Sequence, residues 1–153
     1  MPYLIDGHNL IPKLGLRLDS PDDEMELVAI LQEFARLERR DVEVYFDGAP
    51  VGFAGTRTLG KIKAHFIRQG TTADHAIRAR LMKMGRTARN WIVVTSDREV
   101  QLSARGARSS VISSDEFAKM LKAARDSAPK ANTDDRKLSA HEVEEWLKYF
   151  REK

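Results

Sequence analysis

Four aspartates stand where an apolar run stops or a helix begins. Asp6 follows Tyr3-Leu4-Ile5, Asp47 follows Val42–Phe46, Asp97 follows Trp91–Thr95 and Ser96, and Asp74 comes two residues after Thr72. Carboxylates brought together without partners repel one another, and burial drives them to take up protons unless a cation neutralises them. An all-oxygen donor set suits Mg2+ or Mn2+, which bind through a few carboxylates, water and substrate phosphate oxygens. Such an ion activates water and stabilises a leaving oxygen. Asn9, three residues after Asp6, adds an amide able to hold an acid or a phosphate. Each acid alone has an ordinary reading, since Asp-Gly after a strand is turn chemistry and Asp in a first helical turn is capping. The set says more than its members, because the same location recurs three times.

The charge pattern points to the substrate. Net charge is only +3, but residues 19–47 hold ten acids against three bases, whereas residues 51–95 hold nine bases and the single acid Asp74. A basic stretch is often just a solvated face. Beside a carboxylate cluster it also fits a phosphate backbone, bound by counterion release. The combination is that expected of a phosphodiesterase acting on nucleic acid. Arg57, Lys61, Lys63, Arg68, Ser96 and Arg98 are the candidate contacts to the polyanion.

These acids must be positioned by the elements that carry them. Short apolar runs at 3–5, 42–46 and 91–95 read as buried strands, Lys61–Ile67 alternates like a strand with one wet face, and Val111-Ile112 is a short fifth. Helices fall between them. Ser20-Pro21-Asp22-Asp23 opens the first, whose Leu27, Val28, Leu31, Phe34 and Ala35 form one buried face. Thr72 caps a helix over 73–84, residues 98–105 form another closed by Gly106, and Ser113 or Ser114 starts a third to about Ala124. Val51–Gly60, with three glycines, reads as a loop. Alternating strands and helices imply an α/β three-layer sandwich with a mostly parallel sheet, whose ligands bind at the carboxyl ends of the strands. Asp6, Asp47, Asp74 and Asp97 are thereby expected to share one crevice.

With 153 residues the chain suits one domain, over 1–124, then a polar linker over 125–137 and an amphipathic helix over 138–153. In that helix Ser139 and Glu142 have capping-box spacing, and Val143, Trp146, Leu147 and Phe150 form an apolar stripe. The stripe either docks on its own domain or meets a protein partner or second copy through residues 139–150. A hydrophobic content of 42% with 32% charged residues excludes collagen-like and disordered classes. Having no cysteine, the chain lacks thiol nucleophiles, disulfides and cysteine-ligated zinc or iron–sulfur sites. No apolar run approaches the ~18 residues of a membrane span, and the N-terminus lacks signal-peptide features. The expectation is therefore a cytoplasmic protein with no membrane partner. His8, His65, His75 and His141 show no zinc-ligand spacing, and His8 stands nearest the acids.

The run Tyr3-Leu4-Ile5-Asp6-Gly7-His8-Asn9-Leu10-Ile11 resembles the opening of NYN domains, specifically the YacP-like group, relatives of PIN-domain nucleases. Val44-Tyr45-Phe46-Asp47-Gly48, Thr72-Ala73-Asp74 and Val93-Val94-Thr95-Ser96-Asp97, with Gln101 and Gly106-Ala107 behind, continue it to about Leu121. The resemblance implies a PIN-like fold and metal-dependent RNA hydrolysis. Asp6, Asp74 and Asp97 would be the core metal-binding acids, with Asp47 and Asn9 alongside. It implies attack of an activated water on the phosphodiester, leaving a 5′-phosphate and a 3′-hydroxyl, on RNA that a ribosome could present. His8, where Tyr is frequent, and the helix beyond the core depart from the family pattern. A rival reading is a non-catalytic RNA-binding or ribosome-associated module of the same fold. A haloacid-dehalogenase-type phosphotransferase would need Asp-x-Asp after the first strand, and a dinucleotide enzyme Gly-x-Gly-x-x-Gly; neither pattern is present.

Overall fold

The structure, a computed structural model, describes residues 1–15 and 21–126, with Pro21 and Asp22 described by backbone alone. The expected N-cap Ser20 and the expected helix over 138–153 lie outside the described residues, as does all of the expected linker except Arg125 and Asp126.

Six strands form one sheet in the order β3-β4-β2-β1-β5-β6. They are β1 (Tyr3–Asp6), β2 (Val42–Ala49), β3 (Gly55–Leu59), β4 (Ile62–Arg68), β5 (Ile92–Val94) and β6 (Ser110–Ile112). All neighbours are parallel except β3, which runs antiparallel to β4. Around the sheet lie α1 (Gly7–Leu10), α2 (Pro21–Glu38), α3 (Ala73–Met84), α4 (Arg98–Gly106) and α5 (Ser114–Asp126). The expected sandwich is found, and its fold is PIN-like.

Successive strand residues point to opposite faces, and the core divides accordingly. Tyr3, Ile5, Val44, Phe46, Ile62 and Phe66 pack with Leu27, Leu31 and Phe34 of α2 and Phe117 and Leu121 of α5. Leu4, Tyr45 and Val93 pack on the other face with Ile77 and Leu81 of α3 and Val100 and Ala104 of α4. Full burial of each such side chain stabilises by about 1.5–3 kcal/mol, so the central strands are the most strongly held elements.

Four expectations change. Residues 55–59 are not loop but the edge strand β3, paired from Gly55↔Phe66 to Leu59↔Ile62. Asp47-Gly48 does not end β2. Phe46↔Phe66 is followed by Ala49↔Arg68, so two residues of β2 face one of β4 in a bulge, with Gly48 at φ 76. Gly7 is required by space rather than by a turn: a Cβ there would lie 2.4 Å from the Phe46 ring and 2.9 Å from the Tyr45 carbonyl oxygen. Gly106 stays helical, and Arg108 takes the left-handed position at φ 66. Its N–H donates to the Arg105 carbonyl and that of Ser109 to the Ala104 carbonyl, which closes α4 in a Schellman motif.

Candidate active site

The parallel registers place Tyr3 beside Val42 and Ile92, and Asp6 beside Tyr45. Asp6, Asp47 and Asp97 therefore stand at the same, carboxyl end of the sheet, where α3 and α4 begin. Asp6 is buried at the end of β1. It occupies the N-cap position of α1 but makes no capping hydrogen bond there. Burial raises its pKa to about 6; the nearby Asn9 amide and His8 pull it down, and the charges of Asp47 and Asp97 push it up.

Asp97 caps α4, its Oδ1 accepting from the amides of Glu99 (2.8 Å) and Val100 (3.3 Å). Its own N–H donates to Thr95 Oγ1 at 3.0 Å, and Gln101 donates to the Thr95 carbonyl at 2.9 Å. Asp74 lies in the first turn of α3, which Thr72 caps by accepting from the His75 amide at 3.1 Å. Its Oδ1 is shielded from water and accepts no hydrogen bond. Burial, and then the charge of Asp97, raise its pKa. Asp6, Asp74 and Asp97 form no ion pair with Lys or Arg among the described residues.

Asp47 is differently engaged. Its Oδ2 accepts from the Ala73 amide at the start of α3 (3.2 Å), and its Oδ1 lies 2.9 Å from His8 Nδ1. His8 Nε2 in turn lies 2.7 Å from Glu24 Oε2 of α2. The Glu24 carboxylate and, against the opposing effect of burial, Asp47 hold the imidazole pKa above its ordinary value. Asn9 is a clamp: its Oδ1 accepts from the Ser96 amide at 2.6 Å and the Ser114 hydroxyl at 3.4 Å. Ser96 Oγ accepts from the Ser114 amide at 3.2 Å, which ties the β5 end to α5.

A YacP-like NYN domain model matches residues 3–151. The chain belongs to that family. Its fold is also that of a solved structure, "Rae1 (YacP) from Bacillus subtilis", at 21% identity and TM-score 0.67, covering 99% of this chain and 92% of the other. A Trp-to-Leu variant of that protein gives 22% identity and TM-score 0.64, over 81% and 76% of the two chains. No curated protein is matched.

In this YacP-like NYN domain the candidate polyanion contacts divide. Arg68, Ser96 and Arg98 lie at the carboxylate end, and Arg57 places its guanidinium 4.9 Å from the centre of the Phe66 ring. Lys61 and Lys63 lie toward the opposite end, where Lys61 approaches Asp41 at 3.9 Å and Lys63 stands beside Glu43 in the strand register. Both are thereby separated from the carboxylates. Two participants carried no signal in the sequence pattern. Glu24 sits in a run of acids with nothing to single it out, and the buried Glu43 reads as an ordinary strand residue. Glu43 binds Arg80 at 3.0 and 3.3 Å and His65 at 3.1 Å on the α3 face.

The donor chemistry fits a hard divalent cation. An oxygen of Asp74 is left without a partner, and the charge of Asp97 pushes up the pKa of both Asp74 and the buried Asp6. Among the described residues no three His, Asp or Glu side chains are grouped closely enough to hold a metal ion by themselves. Mg2+ does not need such a group, since it commonly keeps several waters and uses one or two carboxylates with substrate phosphate oxygens. No described helix is long and apolar enough to cross a membrane.

Proposed function

We propose that this protein is a metal-dependent endoribonuclease, hydrolysing phosphodiester bonds at the carboxyl end of its sheet. The observation that carries the reading is the set Asp6, Asp74 and Asp97, in which burial and the charge of Asp97 push up the pKa of both Asp6 and Asp74, and none of the three has a Lys or Arg ion pair among the described residues. Their carboxylates, with Asp47 at the rim, would hold Mg2+ or Mn2+. When bound, such an ion supplies Lewis acidity and an activated water.

The chain's own residues do the positioning. Asp97 is fixed by the helix it caps, so one carboxylate oxygen is held by the α4 backbone. Asp47 is oriented by His8 and the Ala73 amide. Asn9 holds the Ser96 turn against α5, setting the distance between the β1 and β5 ends. Arg57, Arg68, Ser96 and Arg98 would contact RNA, and no acid occurs between Asp47 and Asp74 to oppose it.

The test is cleavage of end-labelled single-stranded and hairpin RNA with Mg2+, Mn2+ or EDTA, at low salt because phosphate contacts weaken as salt rises. Cutting that needs metal and is absent from the Asp6→Asn/Asp97→Asn variant is the expected result. Binding without cutting under every metal would replace it with a non-catalytic RNA-binding module, which a ribosome or another partner could engage.

A further inference from the structure

Phe53 is out of keeping with the other phenylalanines among the described residues. Phe34, Phe46, Phe66 and Phe117 are buried, whereas Phe53 is 58% exposed and its neighbour Val51 is fully exposed. The ring is placed by a defined turn, the Phe53 amide donating to the Pro50 carbonyl at 2.9 Å, with Gly52 at φ 97. The Arg57 guanidinium lies over both Phe53, at 5.8 Å, and Phe66, at 4.9 Å. Phe66 stacks on Phe46 at 5.4 Å, and Phe46 meets His8 at 5.6 Å. An aromatic row thus runs from the exposed edge to the residue that holds Asp47. Pro50 is three residues beyond Asp47, about 10 Å of extended chain.

We propose that Phe53 and Arg57 form a stacking platform for an unpaired base of single-stranded RNA, next to the phosphate presented to the carboxylates. Every base has a π-face that stacks on an aromatic ring, and an arginine beside the ring adds a cation–π contribution. Charge favours this occupant, since Arg57 lies over the ring, Arg68 ends β4 on the carboxylate side of the sheet, and residues 48–73 contain no acid. A duplex keeps its bases stacked inside and offers none to the ring. The platform rests on the endoribonuclease reading for its orientation, and makes that enzyme selective for unpaired segments.

The experiment is equilibrium binding of a fluorescently end-labelled single-stranded RNA in EDTA at low salt, with cleavage assayed separately. Phe53→Ala should weaken binding roughly five- to hundredfold, leave hairpin-stem binding unchanged and leave the thermal midpoint in place. Phe53→Trp should bind at least as tightly as the parent. A series of oligonucleotides, each with one abasic position, should lose affinity at one or two registers, and there Phe53→Ala should add no further loss. Single-strand binding by Phe53→Ala within twofold of the parent would overturn the platform, leaving the exposed ring to a protein partner. If the intact protein then still cuts RNA, the nuclease reading survives alone. Phe53-dependent binding with no cutting under any metal would support the platform and defeat the nuclease. Absence of RNA binding by the intact protein would overturn both.

Discussion

Asp6 and Glu43 sit on adjacent strands, are almost equally buried, and are driven in opposite directions. Burial pushes Glu43 up, but hydrogen bonds from His65 and Arg80 outweigh it and bring its pKa to about 2. Burial pushes Asp6 up as well, and its carboxylate neighbours add to the effect, so it rises to about 6. Around Glu43 the protein supplies its own cations: Arg80 also lies 5.8 Å from the Trp91 ring, and His65 stacks on Tyr45 at 4.5 Å. Around Asp6 it supplies chiefly more carboxylates. A buried acid whose neutralising partner is missing is the one to test for function, whereas one with a complete set of partners reads as scaffold.

The sharpest break of this comparison is in activity. Asp6→Asn or Asp97→Asn should each reduce metal-dependent RNA cleavage by about 10³-fold, the scale of removing a charge-stabilising group. Glu43→Gln should leave the catalytic rate of the folded fraction within a few-fold, as measured in initial-rate assays. In stability the order reverses. Glu43→Gln leaves Arg80 without its charge partner and should cost about 3 kcal/mol in denaturant unfolding, whereas Asp6→Asn should stabilise the metal-free protein at pH 7–8 by about 2 kcal/mol.

The pH dependence follows from the same pair. The fold favours protonated Asp6, so its contribution is intact below pH about 4 and lost as pH rises through about 6, about 3 kcal/mol in all. Glu43 acts oppositely: its contribution is present above about 4.5 and lost as pH falls through about 2. Metal-free protein should therefore lose stability between pH 4 and 7, and Asp6→Asn should flatten most of that slope. Asp74, also raised, contributes in the same sense from pH about 4 upward and should account for slope that remains there, whereas His8, raised from 6.5, loses its contribution only above about pH 6.5. Saturating Mg2+ or Mn2+ should restore stability near pH 7 in the parent but not in Asp6→Asn, as thermal melts would show. The smallest effect belongs to Glu24→Gln, which loosens His8 and through it Asp47; about a tenfold loss of cleavage is expected, the scale for residues that orient metal ligands.

Much of this was legible in the residue pattern. The apolar runs ending in Asp6, Asp47 and Asp97 could be read as parallel strands because burial on both faces leaves a continuous hydrophobic signature. The edge strand β3 could not: Gly55, Thr56, Arg57 and Thr58 are exposed, so neither apolar alternation nor a buried run marks them. Its signal was the two-residue turn Gly60-Lys61 between the paired Leu59 and Ile62, with Gly60 at φ 63. The arginine that closes α4 carries no sequence signal, because glycine is the expected residue at a left-handed helix end. Lys61 and Lys63 stand near Arg68 in sequence, but the seven residues of β4 carry the chain from one end of the sheet to the other, so proximity along the chain does not reveal their separation. The partners of Glu43 come from β4 and α3, so no local spacing announces them.

The Asn9 clamp has a temporal meaning. Its amide oxygen joins residues 87 and 105 positions further along the chain. During synthesis at roughly 5–20 residues per second, Asp6 is made long before Ser96 and Ser114 exist to be held. For roughly 5–20 seconds the nascent chain carries its first acid without the geometry that would put it to use. The carboxylate end of this sheet is assembled late, when β5 and α5 have arrived, so on the proposed nuclease reading an unfinished chain would have little means of cutting the RNA around it.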